Sequence, residues 1–385
     1  MNETDASSRA DAPRGASVAP GGPAAEASAV LGGAEPSAAE PVGPEASGPP
    51  GVPTMFDVAR AAGVSHMTVS RVLNDRGGVS GATRERVRRV IADLNYTPSP
   101  AARAMANRRS GQIGLIQAGR PDYGPSNAAL GFNEAAREAG YTVSQVSMRG
   151  VDAGALTQAV HRLVLQRVEA IVVISGERDG VEVTRGIDAG VPIVAVASED
   201  EPGMHRVSMD QYAGAVRATE HLIGLGHREI RHVTGPDDSM DAAERRRGWA
   251  DTLRAHGLEV REPLTGDWLA ASGYAAGRDL LADVSATAVF VGNDQMSIGL
   301  LAACREAGVD VPGALSVIGF DDIPEAAFFA PPLTTLRQDF DGLGRDIMAT
   351  VLDVLRDEAA APDRTERVPE LVVRASTAPP GRLPT

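Results

Sequence analysis

The sequence has no lysine, a single cysteine and no apolar run long enough to cross a bilayer. The last two of these each remove a class of protein. One thiol, Cys304, cannot form an internal disulfide, so burial and hydrogen bonding must hold the fold. Without about eighteen uninterrupted apolar residues, no membrane span is expected. The opening M-N-E-T-D-A-S-S-R lacks the basic and apolar regions of a secretion signal, which makes the cytoplasm the expected location. There is also no phosphate-cradling glycine loop, no metal-ligand spacing and no nucleophile motif, so neither an enzyme nor a cofactor is expected. Cys304, on a helical pattern, reads as core.

What is present is enough for two or three domains: 385 residues, 43% of them hydrophobic. The net charge of −14 argues against a nucleic-acid partner until it is resolved along the chain. Residues 1–53 carry two Arg against seven acids, residues 54–110 carry ten Arg against four, and the remainder carries 25 Arg against 40. One short segment is therefore strongly basic on an acidic body, and a local basic patch is what phosphate binding needs. All 37 basic residues are arginine, which reads as genomic bias and not as mechanism.

Residues 1–53 are mostly Ala, Gly, Pro and Ser with no periodicity, and a segment that cannot bury enough surface to offset its ordering entropy is expected to be disordered. An interaction tail is the functional alternative, and a misassigned start codon is another. A start at Met55 is disfavoured, because Thr54 with Asp57 forms the capping pattern of a first helix. Val58, Ala59 and Ala62 precede Gly63, and Val64, Val69, Val72 and Leu73 follow it, which predicts a helix, a tight turn and a second helix. Ser65 can cap that second helix, leaving His66, Met67, Thr68, Ser70 and Arg71 on its exposed opening turns, where a recognition helix meets a major groove. Ser80 can cap a third helix whose Val87, Val90, Ile91 and Leu94 form a stripe toward the first two. Its other face holds Arg84, Arg86 and Arg88, either a solvated face or one near phosphates.

From Gln112 the pattern becomes short apolar strands alternating with amphipathic helices. I-G-L-I-Q, A-I-V-V-I and P-I-V-A-V form one series; I-R-H-V-T-G, T-A-V-F-V-G and L-S-V-I-G-F form a second. Two series of βα units predict two parallel sheets, each flanked by helices, in a two-lobed α/β body with a cleft between the lobes. Ligands bind beyond the carboxyl ends of such strands, where Asn293, Asp294, Asp321 and Asp322 fall, with Arg245 just after the loop that ends I-R-H-V-T-G and Trp268 in G-D-W. An Arg, an Asn and a carboxylate around an indole suit a sugar, the polar groups reaching vicinal hydroxyls while the ring covers an apolar face. Each alone is more often a cap or loop anchor, and Asp294 and Asp322 are read that way.

V-S-H-M-T-V-S-R-V-L-N resembles the recognition helix of the lactose repressor (LacI/GalR) family of transcriptional regulators, and the resemblance runs from Thr54 past residue 375. R-R-R-G-W, G-D-W-L-A-A-S-G-Y, N-D-Q-M, G-F-D-D and P-P-L-T-T-L-R-Q-D-F carry it through the body. It implies an all-α helix-turn-helix head at 54–98, a hinge helix and linker at 99–110, and a two-lobed, periplasmic-binding-protein-like effector and dimerisation domain at 111–378, ahead of a tail at 379–385. The first lobe would take about 111–209 and 339–366, the second about 210–338 and 367–378, with crossings near Asp210, Gln338 and Arg367. By residue matching, His66, Met67 and Arg71 would touch base edges, Ser65, Thr68, Ser70 and Asn74 phosphates, and Met105 would wedge into the minor groove. Ser99 and Pro100 depart from the family's usual polar pair. Gly124, Pro125, Arg245, Trp268, Asn293, Asp321, Gln338 and Phe340 would line the effector pocket. Where the family's namesake has an Asn and an Asp on the first lobe, this chain has Ile174 and Ala197, which alters the hydroxyls that can be read.

The implied function is a sequence-specific regulator, a repressor released from operator DNA by a small saccharide such as a galactoside. The implied assembly is a homodimer on a pseudo-palindrome, since the end of the chain carries no tetramerising leucine heptads. A non-sugar metabolite such as a purine is the alternative effector. A transport-type sugar-binding protein shares the body but needs an export signal and no head.

Overall fold

The computed structural model describes residues 53–75, 77–97, 109–150, 152–197, 205–282, 286–356 and 366–381. The expected extension at 1–53 and hinge at 99–110, Met105 included, lie outside these residues except at their edges. The chain divides into two units, Met1–Tyr96 and Thr97–Thr385.

The first unit is three helices: α1 (Met55–Ala62), α2 (His66–Leu73) and α3 (Gly81–Asp93). Each starts where the sequence supplies a cap. Thr54 and Asp57 close a capping box on α1, with the Thr54 N–H donating to Asp57 at 2.9 Å. The Ser65 and Ser80 hydroxyls accept from the N–H groups of Thr68 and Thr83 at 3.2 and 3.3 Å. Gly63 ends α1 at φ 63°, left-handed backbone that a side chain would strain, and so aims α2 across α1. Val58, Ala59, Ala62, Val69, Val72 and Val87 form the core, with Val90, Ile91 and Leu94 packed against it.

In the second unit, β1 (Gln112–Ala118), α4 (Tyr123–Glu138), β2 (Thr142–Met148), α5 (Ala153–Leu165), β3 (Ile171–Ser175), α6 (Arg178–Arg185), β4 (Ile193–Val196) and β5 (His205–Val207) build the first lobe. Its sheet is parallel, in the order β2-β1-β3-β4-β5. The second lobe follows with α7 (Gln211–Gly224), β6 (Ile230–Thr234), α8 (Met240–Ala255), β7 (Leu264–Thr265), α9 (Ala270–Leu281), β8 (Ala288–Val291), α10 (Asp294–Ala307) and β9 (Ser316–Ile318), its parallel sheet ordered β7-β6-β8-β9. A 3-10 turn (Pro324–Phe328), β10 (Thr335–Arg337), α11 (Phe340–Leu355) and β11 (Glu370–Val372) complete the chain. Strand β10 pairs with β11 in an antiparallel ribbon.

Both sheets have helices on both faces, which is why β3 and β8 are wholly apolar up to their last residues and wholly buried. In the first lobe one core lies under α4 and α11 and another under α5. In the second, α9 and α10 cover one face and α7 and α8 the other. Helix α11 returns to pack in the first lobe although it follows the second. The chain therefore passes between lobes near Met209, Gln338 and Arg367, where Met209 bridges Arg367. Arg367 ties the three passages together. Its carbonyl accepts from the Asp210 N–H at 3.0 Å, and its guanidinium donates to Asp339 at 2.6 Å and to Asp346 at 2.6 and 3.2 Å. Asp210 and Asp339 also cap α7 and α11.

Strands β2, β5, β7, β10 and β11 were not legible in the sequence. Strand β2 is an edge whose residues are half-buried or exposed, so it has no apolar run, and the others span two or three residues. Among the described residues no helix is long and apolar enough to cross a membrane.

Candidate functional site

On the three-helix unit, α2 presents Ser65, His66, Met67 and Arg71 to solvent, with Thr68, Ser70 and Asn74 half-buried beside them. Met67 is 57% exposed on this face. Val69 and Val72 hold the opposite side of α2 in the core, so the polar residues share one face. The Asn74 side chain donates to the Ser70 carbonyl at 2.8 Å and finishes the helix. Phe56, 51% exposed with its ring 5.5 Å from that of His66, belongs to this surface and was missed in the sequence. Arg84 and Arg88, read there as a solvated or phosphate-facing row, both pair with Asp75, the latter at 3.3 Å. Two of the segment's charges are thus engaged within the protein, a local contact that helical periodicity cannot show.

Between the lobes of the second unit lies an open cleft of about 890 Å³, solvent included. It adjoins a second, inner space of about 480 Å³ through shared walls at Gly124, Pro125, Gly176 and Asp241. The cleft forms beyond β1 and β3 of one sheet and β6 and β8 of the other, the places where each strand order reverses and neighbouring loops part. All eight residues expected around an effector fall on these walls. Gly124, Pro125, Arg245, Trp268, Asn293 and Asp321 line the outer space, and Gln338 and Phe340 the inner.

The polar centre is a ring of three hydrogen bonds closed by one ion pair. Arg245 Nε donates to Gln211 Oε1 (2.9 Å), Gln211 Nε2 to Gln338 Oε1 (3.0 Å) and Gln338 Nε2 to Asp321 Oδ1 (2.8 Å), and Asp321 faces Arg245 at 3.8 Å. The Arg245 guanidinium also donates to the Gly292 carbonyl at 2.5 Å and lies 3.8 Å above the Phe320 ring and 5.4 Å from that of Trp268. Such a fork is fixed before any ligand arrives, and a planar, pre-oriented donor set forfeits little entropy on binding. Burial pushes the Asp321 carboxyl up to about 6, although Arg245 and Gln338 both pull it down.

Two cleft residues, Trp268 and Asp321, have positive φ, at 70° and 111°, as does the adjacent Asp322 at 53°. The Trp268 indole lies against Gly235 so closely that a Cβ there would overlap the ring. Asn293 lines the cleft but its side chain is engaged, accepting from the Met296 N–H at 2.8 Å and donating to the Trp268 carbonyl at 3.1 Å. It fixes the indole loop to α10. Asp294 and Asp322 are anchors, as read from the sequence. Asp294 accepts from the Ile323 N–H and the Thr335 hydroxyl, and Asp322 pairs with Arg337 and Arg374.

Several wall residues escaped the sequence reading. Gln211 and Asp241 sit in helix starts with no motif of their own, although Asp241 is one helical turn before Arg245 and that spacing was visible. The outer wall also carries Asp122, Glu177, Asp238 and Asp267 against the single further cation Arg120. Burial raises the Asp122 carboxyl despite Arg120, and burial with repulsion from Asp238, Asp179 and Asp122 raises that of Glu177. This mouth repels anions.

Two family profiles match the chain: bacterial regulatory proteins of the lacI family over residues 54–99, and the periplasmic binding protein-like domain over residues 219–377. The lactose operon repressor of Escherichia coli K12 is 33% identical over 332 residues, covering 85% of this chain and 91% of that protein. Among solved structures, the lac repressor dimer bound to operator and the anti-inducer ONPF matches at TM-score 0.77 and 32% identity, over 85% of this chain and 99% of that one. The complex of the transcriptional regulator CelR with cellobiose matches at TM-score 0.63 and 32% identity, over 84% and 99%.

Proposed function

Because the chain belongs to the lacI family of bacterial regulatory proteins, we propose that it is a transcriptional repressor, bound to a pseudo-palindromic operator as a homodimer and released when an uncharged saccharide enters the cleft. In this reading residues 54–98 are the DNA-reading head, 99–110 the hinge with Met105 as its minor-groove wedge, and 111–378 the effector and dimerisation body. His66, Met67 and Arg71 touch bases; Ser65, Thr68, Ser70 and Asn74 touch phosphates. The protein acts on DNA in the cytoplasm as a regulator and not as a catalyst.

The observation that carries the saccharide is the buried Arg245–Asp321 pair beside the Trp268 indole, a polar edge next to an aromatic wall in one cleft. The carboxylates at the mouth favour a neutral ligand over a phosphorylated one. A ligand lowers operator affinity only by binding the released state better, and typical couplings of about 1 to 3 kcal/mol correspond to roughly 5- to 150-fold. The test is fluorescence anisotropy on an operator found by in vitro selection, with and without neutral sugars, sugar phosphates and purines. The expected result is release by a neutral sugar in the parent and operator binding without release in Arg245→Ala. Release by a purine alone, or loss of DNA binding by a folded dimeric Arg245→Ala protein, would overturn the reading.

A further inference from the structure

The inner chamber has a different chemistry from the outer one. Its walls are Ile174, Val196, Ala197, Met209, Phe340 and Leu343, with Ile174, Ala197, Met209 and Leu343 each under 5% exposed. Five polar side chains reach it, and each has a partner within the protein. The Ser175 hydroxyl exchanges hydrogen bonds with the Glu177 backbone at 3.2 and 3.3 Å. Ser208 donates to Glu366 at 2.6 Å and accepts from Arg206 at 3.0 Å. Gln211 and Gln338 are closed into the ring with Arg245 and Asp321. The fifth, Asp241, stands at the throat and belongs to both chambers. A hydroxyl pushed past the throat meets hydrocarbon or groups already satisfied, and so loses its hydrogen bonds to water without replacement.

We propose that the effector is a saccharide with an apolar end, which occupies the inner chamber against Ile174, Ala197 and Phe340 while its hydroxylated edge faces Arg245 and Asp321. This rests on the reading of the cleft as a saccharide site. The apolar end is either the methyl of a deoxysugar or the alkyl group of a glycoside, and both put carbon where a simple hexose would put a hydroxyl.

Calorimetric titration of the full-length protein distinguishes these sources. One arm compares D-galactose with D-fucose, D-glucose with 6-deoxy-D-glucose and L-mannose with L-rhamnose; the other compares each hexose with its methyl and isopropyl glycosides. The apolar-ended member of at least one pair is expected to bind on the order of 10- to 100-fold more tightly than its hydroxylated parent, the range over which a pocket separates such analogues. Ala197→Asp should erase or reverse the preference, and Ile174→Val should keep it. Since a polar substitution at a buried site can impair folding, the wild-type ligand series stands as a test by itself. Hexoses binding as tightly as their deoxy and alkyl counterparts would overturn the inference and leave the saccharide reading intact. Failure of every saccharide to bind would overturn both.

Discussion

Replacing Asp321 by Asn is expected to stabilise the protein while weakening its site. The carboxyl is 6% exposed, and its folded-state pKa is about 6 against an ordinary value of 3.8. A difference of about two units corresponds to about 3 kcal/mol. The cost of the buried charge is absent below the unfolded value, grows as pH rises from 3.8 and is fully present above about 6, because there the unfolded chain hydrates a carboxylate that the native protein holds dry. Asparagine cannot ionise, so Asp321→Asn should gain up to about 3 kcal/mol at pH 7 and nothing near pH 4. His232 acts in the opposite sense. Burial lowers its pKa from 6.5 to about 4, so its contribution is intact above 6.5 and is lost as pH falls toward 4. In the parent these two slopes oppose each other between pH 4 and 6, and the variant should expose the histidine slope as a steeper acid loss. Urea unfolding followed by tryptophan fluorescence reads this directly, since both tryptophans, Trp249 and Trp268, lie in the second unit. A variant less stable than the parent at pH 7, or one with the same stability gap at pH 4 and 7, would refute the argument.

Two other substitutions probe the separate surfaces. Arg71→Ala should cost about 1 to 3 kcal/mol of operator binding and relax specificity at one base pair; equal weakening on operator and random DNA in a competition assay would make Arg71 a phosphate contact instead. Gly235→Ala places a Cβ against the Trp268 indole, so the ring must move, and saccharide affinity should fall roughly 10-fold or more with operator affinity unchanged. Unaltered saccharide titrations for this variant would remove Trp268 from the site.

The three-helix head was almost fully legible because its signals are local. A Thr and two Ser stand where caps are needed, and Gly63 stands where the backbone turns left-handed. The body was legible wherever a strand is buried and becomes an apolar run, as in β3 and β8, and illegible where an edge strand is left half-buried or exposed or a strand spans two residues, as in β2 and β7. In the cleft, strand ends gave Asn293 and Asp321, and resemblance gave Gln338 and Phe340. Nothing nearby in sequence marks Gln211, because its partners Gln338 and Arg245 lie 127 and 34 residues away. The role of Asp75 is hidden for a different reason: it engages Arg84 and Arg88, 9 and 13 residues away, from a loop whose course helical periodicity does not give.

The junction at Arg367 has a mechanical meaning. Three strands of backbone join the lobes, and one guanidinium with its own carbonyl grips the start of α7, the start of α11 and the returning chain. Bodies held by such a joint can turn about it but cannot slide past each other there, and these lobes meet again at the Glu177–Ser239 bridge between the loop after β3 and the start of α8. Rotation about a pivot displaces each part in proportion to its distance from the pivot. Gln211 and Gln338, each adjacent to a residue that Arg367 grips, also belong to the ring that meets the cleft, so the joint and the site share a frame. Contacts made near the fulcrum, where forces are large and movements small, become movements of greater amplitude at the far ends of the lobes.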